Sequence, residues 1–395
     1  MMEMTGSRPA IRLDPVTALL ALAGLAAALL LPFLGLAPNR ILSPQPYGIA
    51  AAIQPGWLTV MIAGFLLVVA GAVLAARRSD LLVLAGATVV LLAAFASAGD
   101  AATRLTAEAA SPATRVSLGA AFWILFATSA LAMVEALRRL GVGQLGRILY
   151  AAAIVAILAL LASRGWFDDL SIIREWANRR DQFAAAVSTH LLLVVVSLAV
   201  SLAIGLPLGI WTALRARAAG PVFAMLNIIQ TIPSIALFGL LIGPLTALSN
   251  ALPALRTIGI GGIGFAPAVI ALVLYGLLPI ARNTQAGLLS VPASVTDAAR
   301  GMGLTPRQVV TSVSLPLALP SLLAGLRIVT IQTIGMGVVA ALIGAGGLGS
   351  FVFLGLGQTA IDLVLLGALS TIALALAADA LLSALSLLAT RRMHR

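Results

Sequence analysis

The recurrence of long apolar runs constrains this chain more than any other feature. A helix crossing about 30 Å of hydrocarbon needs about 20 mostly apolar residues, and runs of that length recur throughout the 395-residue sequence. Inside a bilayer each backbone N–H and C=O must find its partner within the protein, which favours helices. With 61% hydrophobic and only 9% charged residues, the composition lies far from that of soluble globular domains. The expectation is an all-α polytopic membrane protein.

Ten candidate spans lie at about 16–36, 57–76, 81–98, 116–137, 147–163, 190–211, 222–247, 266–285, 319–343 and 361–389. Trp57, Trp166 and Trp211 fall at span ends, as interfacial aromatics do. The first stretch has a basic start (Arg8, Arg12) but no small-x-small cleavage site, so it is expected to be retained as a span. With the N-terminus inside, fifteen arginines fall in inside segments and eight in outside segments, while Arg327 lies within a span. That bias predicts both termini in the cytoplasm. It also explains the formal charge of +11 as orientation rather than affinity for nucleic acid. The polar segment 164–189 places Ile172, Ile173, Trp176 and Phe183 among charges, the pattern of an amphipathic helix on the outer membrane face. The expected organisation is a five-helix N-terminal region (1–165) of open role, an outer linker (166–189) and a five-helix C-terminal region (190–395). No internal repeat relates the two halves.

Absences narrow the chemistry. Without cysteine there is no disulfide, thiolate nucleophile or thiolate metal site. Two histidines, His190 and His394, are too few for a histidine-based metal centre, so no metal site is expected. The chain also contains no lysine, which a phosphate-cradling GxxxxGK[ST] loop requires. Transport driven by ATP would therefore need its ATPase on another chain.

The residues DAARGMGLTPRQVVTSVSLP (297–316) form a polar island between apolar spans, on the side the arginine count places inside. Ser294 followed by Asp297 predicts an N-cap and a short helix from about Val295. Gly301 and Gly303 are expected to supply the positive φ that ends it. Thr305-Pro306-Arg307-Gln308 reads as a second start, with a Thr cap, Pro at the first helical position and Gln closing a capping box. Pro316 is expected to stop the apolar run that follows.

This island resembles the cytoplasmic "EAA" loop of binding-protein-dependent ABC transporter permeases. Asp297-Ala298-Ala299, Gly303 and Val313-Ser314-Leu315-Pro316 keep its spacing, with Asp297 where Glu is usual and Val313 where Ile is usual. The resemblance extends over HLLLVVVSLAVSLAIGLPLGI (190–210), LNIIQTIPSIALFGLL (226–241), LYGLLPIARNTQAGL (274–288) and 315–349 to the quaternary-amine class, the osmoprotectant importers for glycine betaine, choline and carnitine. It implies that 290–316, with Asp297, Ala298, Ala299, Gly301, Gly303, Leu315 and Pro316, docks on a separate ATPase. It implies a homodimer in the inner membrane and an extracytoplasmic substrate-binding protein. ATP and magnesium would be bound by the ATPase, leaving no cofactor and no catalysis on this chain. The five N-terminal helices lie outside the resemblance.

Polar residues within spans are candidates for a translocation path. Asn227, Gln230, Thr231 and Ser234 would share one helical face by their i, i+3, i+4, i+7 spacing, beside Pro233. Path lining and interhelical hydrogen bonding are both open for them. Tyr275, Gln332 and Thr333 are further candidates. Arg327 and Asp379 are costly at membrane depth and are expected to pair, as a gate latch or as a structural ion pair. Two GxGxxG strings, starting at Gly259 and Gly344, lack a βαβ context and read as turns or re-entrant segments at the outer mouth. Other classes are a permease for a different small solute, an ion-coupled secondary transporter and a membrane-embedded enzyme. Few intramembrane carboxylates and no internal repeat speak against ion coupling; no span carries a catalytic constellation.

Overall fold

The structure, a computed structural model, describes residues 14–39, 42–74, 79–109, 111–257 and 259–393, the last five without their side chains. Arg8, Arg12, Arg40, Arg77, Arg78, Arg395 and His394, used above, lie outside the described residues. Among the described residues nine helices are long and apolar enough to cross a membrane, and Pro15–Leu30 is a shorter apolar helix. The chain divides into two compact units, 1–178 and 179–395.

The first unit contains α1 (Pro15–Leu30), α2 (Ile49–Ala52), α3 (Pro55–Val73), α4 (Ser79–Glu108), α5 (Ala120–Arg139), α6 (Gln144–Ser163) and α7 (Ser171–Asn178). Pro32 explains why α1 ends before residue 36. The residue preceding a proline is pushed out of the helical region, and Leu31 is extended at φ −113°, ψ 156°. The chain then enters a three-stranded antiparallel sheet that the apolar runs did not announce. Strand β1 (Leu34–Ala37) sits between β2 (Gln45–Tyr47) and β3 (Arg115–Leu118), with Leu34 opposite both Tyr47 and Leu118. Small residues draw α3 and α4 together: a Cβ at Gly86 would stand 2.5 Å from the Gly64 carbonyl oxygen. Below the sheet, Phe33, Phe122 and Leu125 are fully buried.

The amphipathic helix expected in the outer linker is α7, tied to β3 by Arg115–Glu175 at 3.9 Å and by Arg174 donating to the Thr114 carbonyl at 2.9 Å. It stops at Asn178, and residues 180–189 are not linker. They form the first turns of α8 (Arg180–Leu214), which is one helix of 35 residues.

The second unit continues with α9 (Ala216–Thr231), α10 (Ser234–Ala251), α11 (Ala254–Thr257), α12 (Phe265–Leu289), α13 (Ala293–Gly301), α14 (Pro306–Gln308), α15 (Leu315–Val339), α16 (Gly349–Gly357) and α17 (Ile361–Met393). The single span expected at 222–247 is thus two helices. The centre of the second unit is α12, packed between α8 and α15. Close approach again rests on glycines: added Cβ atoms at Gly209 and Gly325 would meet Thr284 Cβ at 2.5 Å and Asn283 Cβ at 2.6 Å. The two GxGxxG strings are turns that meet, since the Gly264 N–H donates to the Ile343 carbonyl at 2.7 Å. The nine-residue α16 that follows the second string is too short to cross.

Candidate functional site

The polar island folds as two short helical pieces around one corner. Helix α13 begins at Ala293 behind Pro292, whose φ of −58° already suits a helix start, and no side chain caps it. Ser294 is therefore not the N-cap but a first-turn residue. Gly301 remains helical as the last residue of α13, and Gly303 alone takes positive φ, at +84°. The Gly303 N–H donates to the Arg300 carbonyl at 2.9 Å and the Leu304 N–H to the Ala299 carbonyl at 3.2 Å. This pair of bonds is a Schellman motif, which satisfies carbonyls the helix end would otherwise leave unpaired. Ala299 is buried beneath the corner.

Two residues on, the Thr305–Gln308 capping box forms in full. Gln308 accepts from the Thr305 N–H at 2.8 Å, while its own N–H reaches the Thr305 hydroxyl at 3.4 Å. Pro316 does not end the run. Residues Val309–Ser314 form a π-helical turn, in which the Leu315 N–H reaches the Val310 carbonyl, and the chain passes directly into α15 with Pro316 in its first turn. A proline in a regular helix crowds the carbonyl four residues earlier, and a wide turn before it relieves that clash.

The corner presents a mixed surface. Met302 is 75% exposed, Asp297 and Arg300 form an exposed pair at 2.9 Å, and Ala298 and Pro316 are exposed beside them. An exposed pair of this kind contributes little to stability, so both charges are available to another surface. Leu315 is half-buried at the start of α15.

The intramembrane candidates separate. The helix breaks at Ile232-Pro233, so Ser234 opens α10 while Asn227, Gln230 and Thr231 end α9, and the four do not form one continuous face. Thr231 bonds internally to the Ile228 carbonyl at 2.7 Å, and Asn227 is exposed. Gln230 and Tyr275 do come together. The Gln230 amide donates to the Tyr275 backbone carbonyl at 2.8 Å, and the Tyr275 hydroxyl donates to the Ile232 carbonyl at the break. Tyr275 is buried on α12. On α15, Thr333 is buried, and the Gln332 amide reaches Met336 Sδ at 3.7 Å. Arg327 and Asp379 pair in a two-pronged arrangement, Nε to one carboxylate oxygen and Nη2 to the other, the latter at 2.7 Å.

Two arrangements escaped the sequence. His190 is fully buried on α8, with Nε2 3.1 Å from the Ile334 carbonyl oxygen and the Gly337 and Gly347 backbones against its ring. Its position as the one histidine within a candidate span was the available signal. Arg282 lies 4.8 Å from the centre of the Phe223 ring, a cation–π contact set by the fold rather than by spacing. Among the described residues no cluster of three or more His, Cys, Asp or Glu is placed to hold a metal ion.

Comparison with known proteins gives these features an owner. Residues 205–391 match the family described as binding-protein-dependent transport system inner membrane component, and residues 12–173 match the N-terminal domain of the ABC transporter permease YehY. The osmoprotectant import permease protein OsmW of Salmonella typhimurium is 40% identical over 207 residues, covering 52% of this chain and 91% of that protein. The choline transport system permease protein OpuBB of Bacillus subtilis is 34% identical over 194 residues, covering 49% and 82%. The glycine betaine/proline betaine transport system permease protein ProW of Escherichia coli is 35% identical over 194 residues, covering 49% of this chain and 50% of that protein. The chain belongs to the binding-protein-dependent ABC transporter permeases of the quaternary-amine class, multi-pass inner-membrane translocation subunits that work with an ATPase and a substrate-binding protein.

Proposed function

We propose that this chain is the translocation subunit of an ATP-driven importer for glycine betaine or a related quaternary-amine osmoprotectant. The observation that carries the coupling half of this reading is the corner at 293–316. A Schellman turn and a capping box hold Asp297 and Met302 outward on a rigid frame, and the segment continues without a loop into α15. Displacing the corner would therefore move a long intramembrane helix. The substrate half rests on OsmW and OpuBB, named for osmoprotectant import and choline transport.

Two copies of the chain would form the path, with both termini in the cytoplasm and lipid around the bundle. ATP and magnesium would sit on the partner ATPase, and this chain would catalyse no reaction of its own. Closure of the ATPases would draw the two corners together and turn the path outward, where the binding protein releases its cargo. Selection of the quaternary ammonium, for which a cage of aromatic faces is the usual device, is assigned to the binding protein. The test is binding of radiolabelled glycine betaine, choline and carnitine to the cognate binding protein, followed by uptake through the full assembly. Saturable binding and uptake of at least one of them is expected. Binding of none, with tight binding of an unrelated solute, would transfer the chain to another substrate class.

A further inference from the structure

The break between α9 and α10 carries more than a change of direction. Proline at 233 pushes the residue before it out of the helical region, and Ile232, at φ −71°, ψ 127°, turns its carbonyl out of the ladder; a free carbonyl in an apolar setting demands another donor. The freed Ile232 carbonyl receives the Tyr275 hydroxyl from α12, 43 residues away in sequence. The bond is reciprocated, because Gln230 on the other helix donates to Tyr275's own carbonyl at 2.8 Å. Leu237, Phe238, Leu272 and Tyr275 belong to one buried apolar cluster, with Ile229 and Ile232 packed against it. Two hydrogen bonds thus fasten the broken joint to the central helix of the unit.

We propose that Tyr275 and Gln230 form a clamp that sets the tilt of α10 about the Ile232-Pro233 joint, and that holding and releasing this clamp is part of the transport cycle. They are positioning residues: neither needs to touch the cargo. The proposal rests on the import reading for its role, but not for its geometry. The clamp selects one of two discrete tilts, and the bonds are available in only one of them. Removing the hydroxyl shifts that equilibrium by about tenfold, the effect of one buried acceptor left without its donor.

The chain has no native cysteine, so spin labels can be placed without background. Labels at Leu248→Cys on α10 and Ile263→Cys before α12, both exposed positions, report the tilt in the full assembly with its ATPase. With doubly labelled subunits diluted into unlabelled ones, so that only distances within a subunit are read, a single distance is expected with Tyr275 in place and a second population with Tyr275→Phe. Gln230→Leu provides the same readout if Tyr275→Phe fails to assemble. An unchanged distance distribution in the assembled variants overturns the clamp, whatever transport does. In proteoliposomes loaded with ATP, radiolabelled glycine betaine uptake per assembled Tyr275→Phe transporter should fall about tenfold at unchanged half-saturation by the binding protein. Pro233→Ala should lose uptake similarly and be indifferent to a further Tyr275→Phe change, because a continuous helix has no joint to clamp. Uptake per transporter within about twofold of the parent, or additive losses, sinks the clamp alone. Absence of uptake by the parent protein counts against the import reading and leaves the distance measurement to decide the clamp.

Discussion

At the scale of single residues, two positions test whether local geometry is set as described. Asp14 caps α1, accepting from the Val16 N–H at 3.3 Å, and its carboxylate also meets the Arg139 guanidinium. The hydrogen bond from Arg139 is the main reason its pKa is held below the ordinary carboxylate range. A depressed folded-state pKa means the stabilisation is complete above the unfolded value, about 4, and is lost as pH falls through the lower folded value. Asp14→Asn preserves the cap to Val16, since Asn and Asp cap equally well, and removes the charge together with the second oxygen, which accepts from Thr17 and Arg139. The variant should lose about 1 kcal/mol at neutral pH and should converge with the parent as pH falls through the depressed folded-state pKa of Asp14. Thermal unfolding in detergent across that range checks both. At Gly303 an added Cβ would meet no atom within 4 Å, so only the backbone conformation penalises a side chain. Gly303→Ala is expected to strain the corner by about 1 kcal/mol and Gly303→Asn by less. Copurification of the ATPase should fall in the same order. The capping box was legible because it lies within four consecutive residues. The failed Ser294 cap had the same form, but Pro292 starts the helix earlier on backbone geometry alone.

Among whole elements, α15 is the part that links the corner to the membrane interior. It joins the π-helical turn at one end, pairs through Arg327 with Asp379 of α17, and ends against His190. A charge left without its partner at membrane depth is destabilising by several kcal/mol in well-buried settings. At this depth the 43% of the Arg327 side chain left uncovered does not face bulk water, so the loss is not reduced by solvent screening. Asp379→Asn and Arg327→Gln should each reduce the yield of assembled permease severalfold. The exchange Arg327→Asp with Asp379→Arg should recover part of it. Assembly of both single variants at parental levels would make the pair dispensable. The spans themselves were legible from length and apolarity. The joint in 222–247 was not, because a proline within a span only permits a break, and what completes it is a tyrosine 42 residues further on. The small sheet was invisible for a related reason. Strands of three and four residues carry no period, and their pairing joins residues up to 84 positions apart, Leu34 with Leu118.

For the molecule as a whole, two units and two family matches coincide in outline without being interchangeable. The OsmW match covers 91% of that protein while using 52% of this chain, and the permease family match at 205–391 lies wholly within the second unit. Residues 179–395 expressed alone should therefore still copurify with the ATPase; loss of binding would make the first unit part of the coupling machinery. In the proposed transporter, ATP hydrolysed on a partner drives solute through this chain. The direct measurement is uptake of radiolabelled glycine betaine into proteoliposomes holding the permease and its ATPase, with the binding protein outside and ATP sealed within. Uptake should require ATP, persist with a protonophore, and fall when Gly303→Ala weakens the corner. Uptake that a protonophore abolishes and ATP depletion leaves untouched would contradict the account.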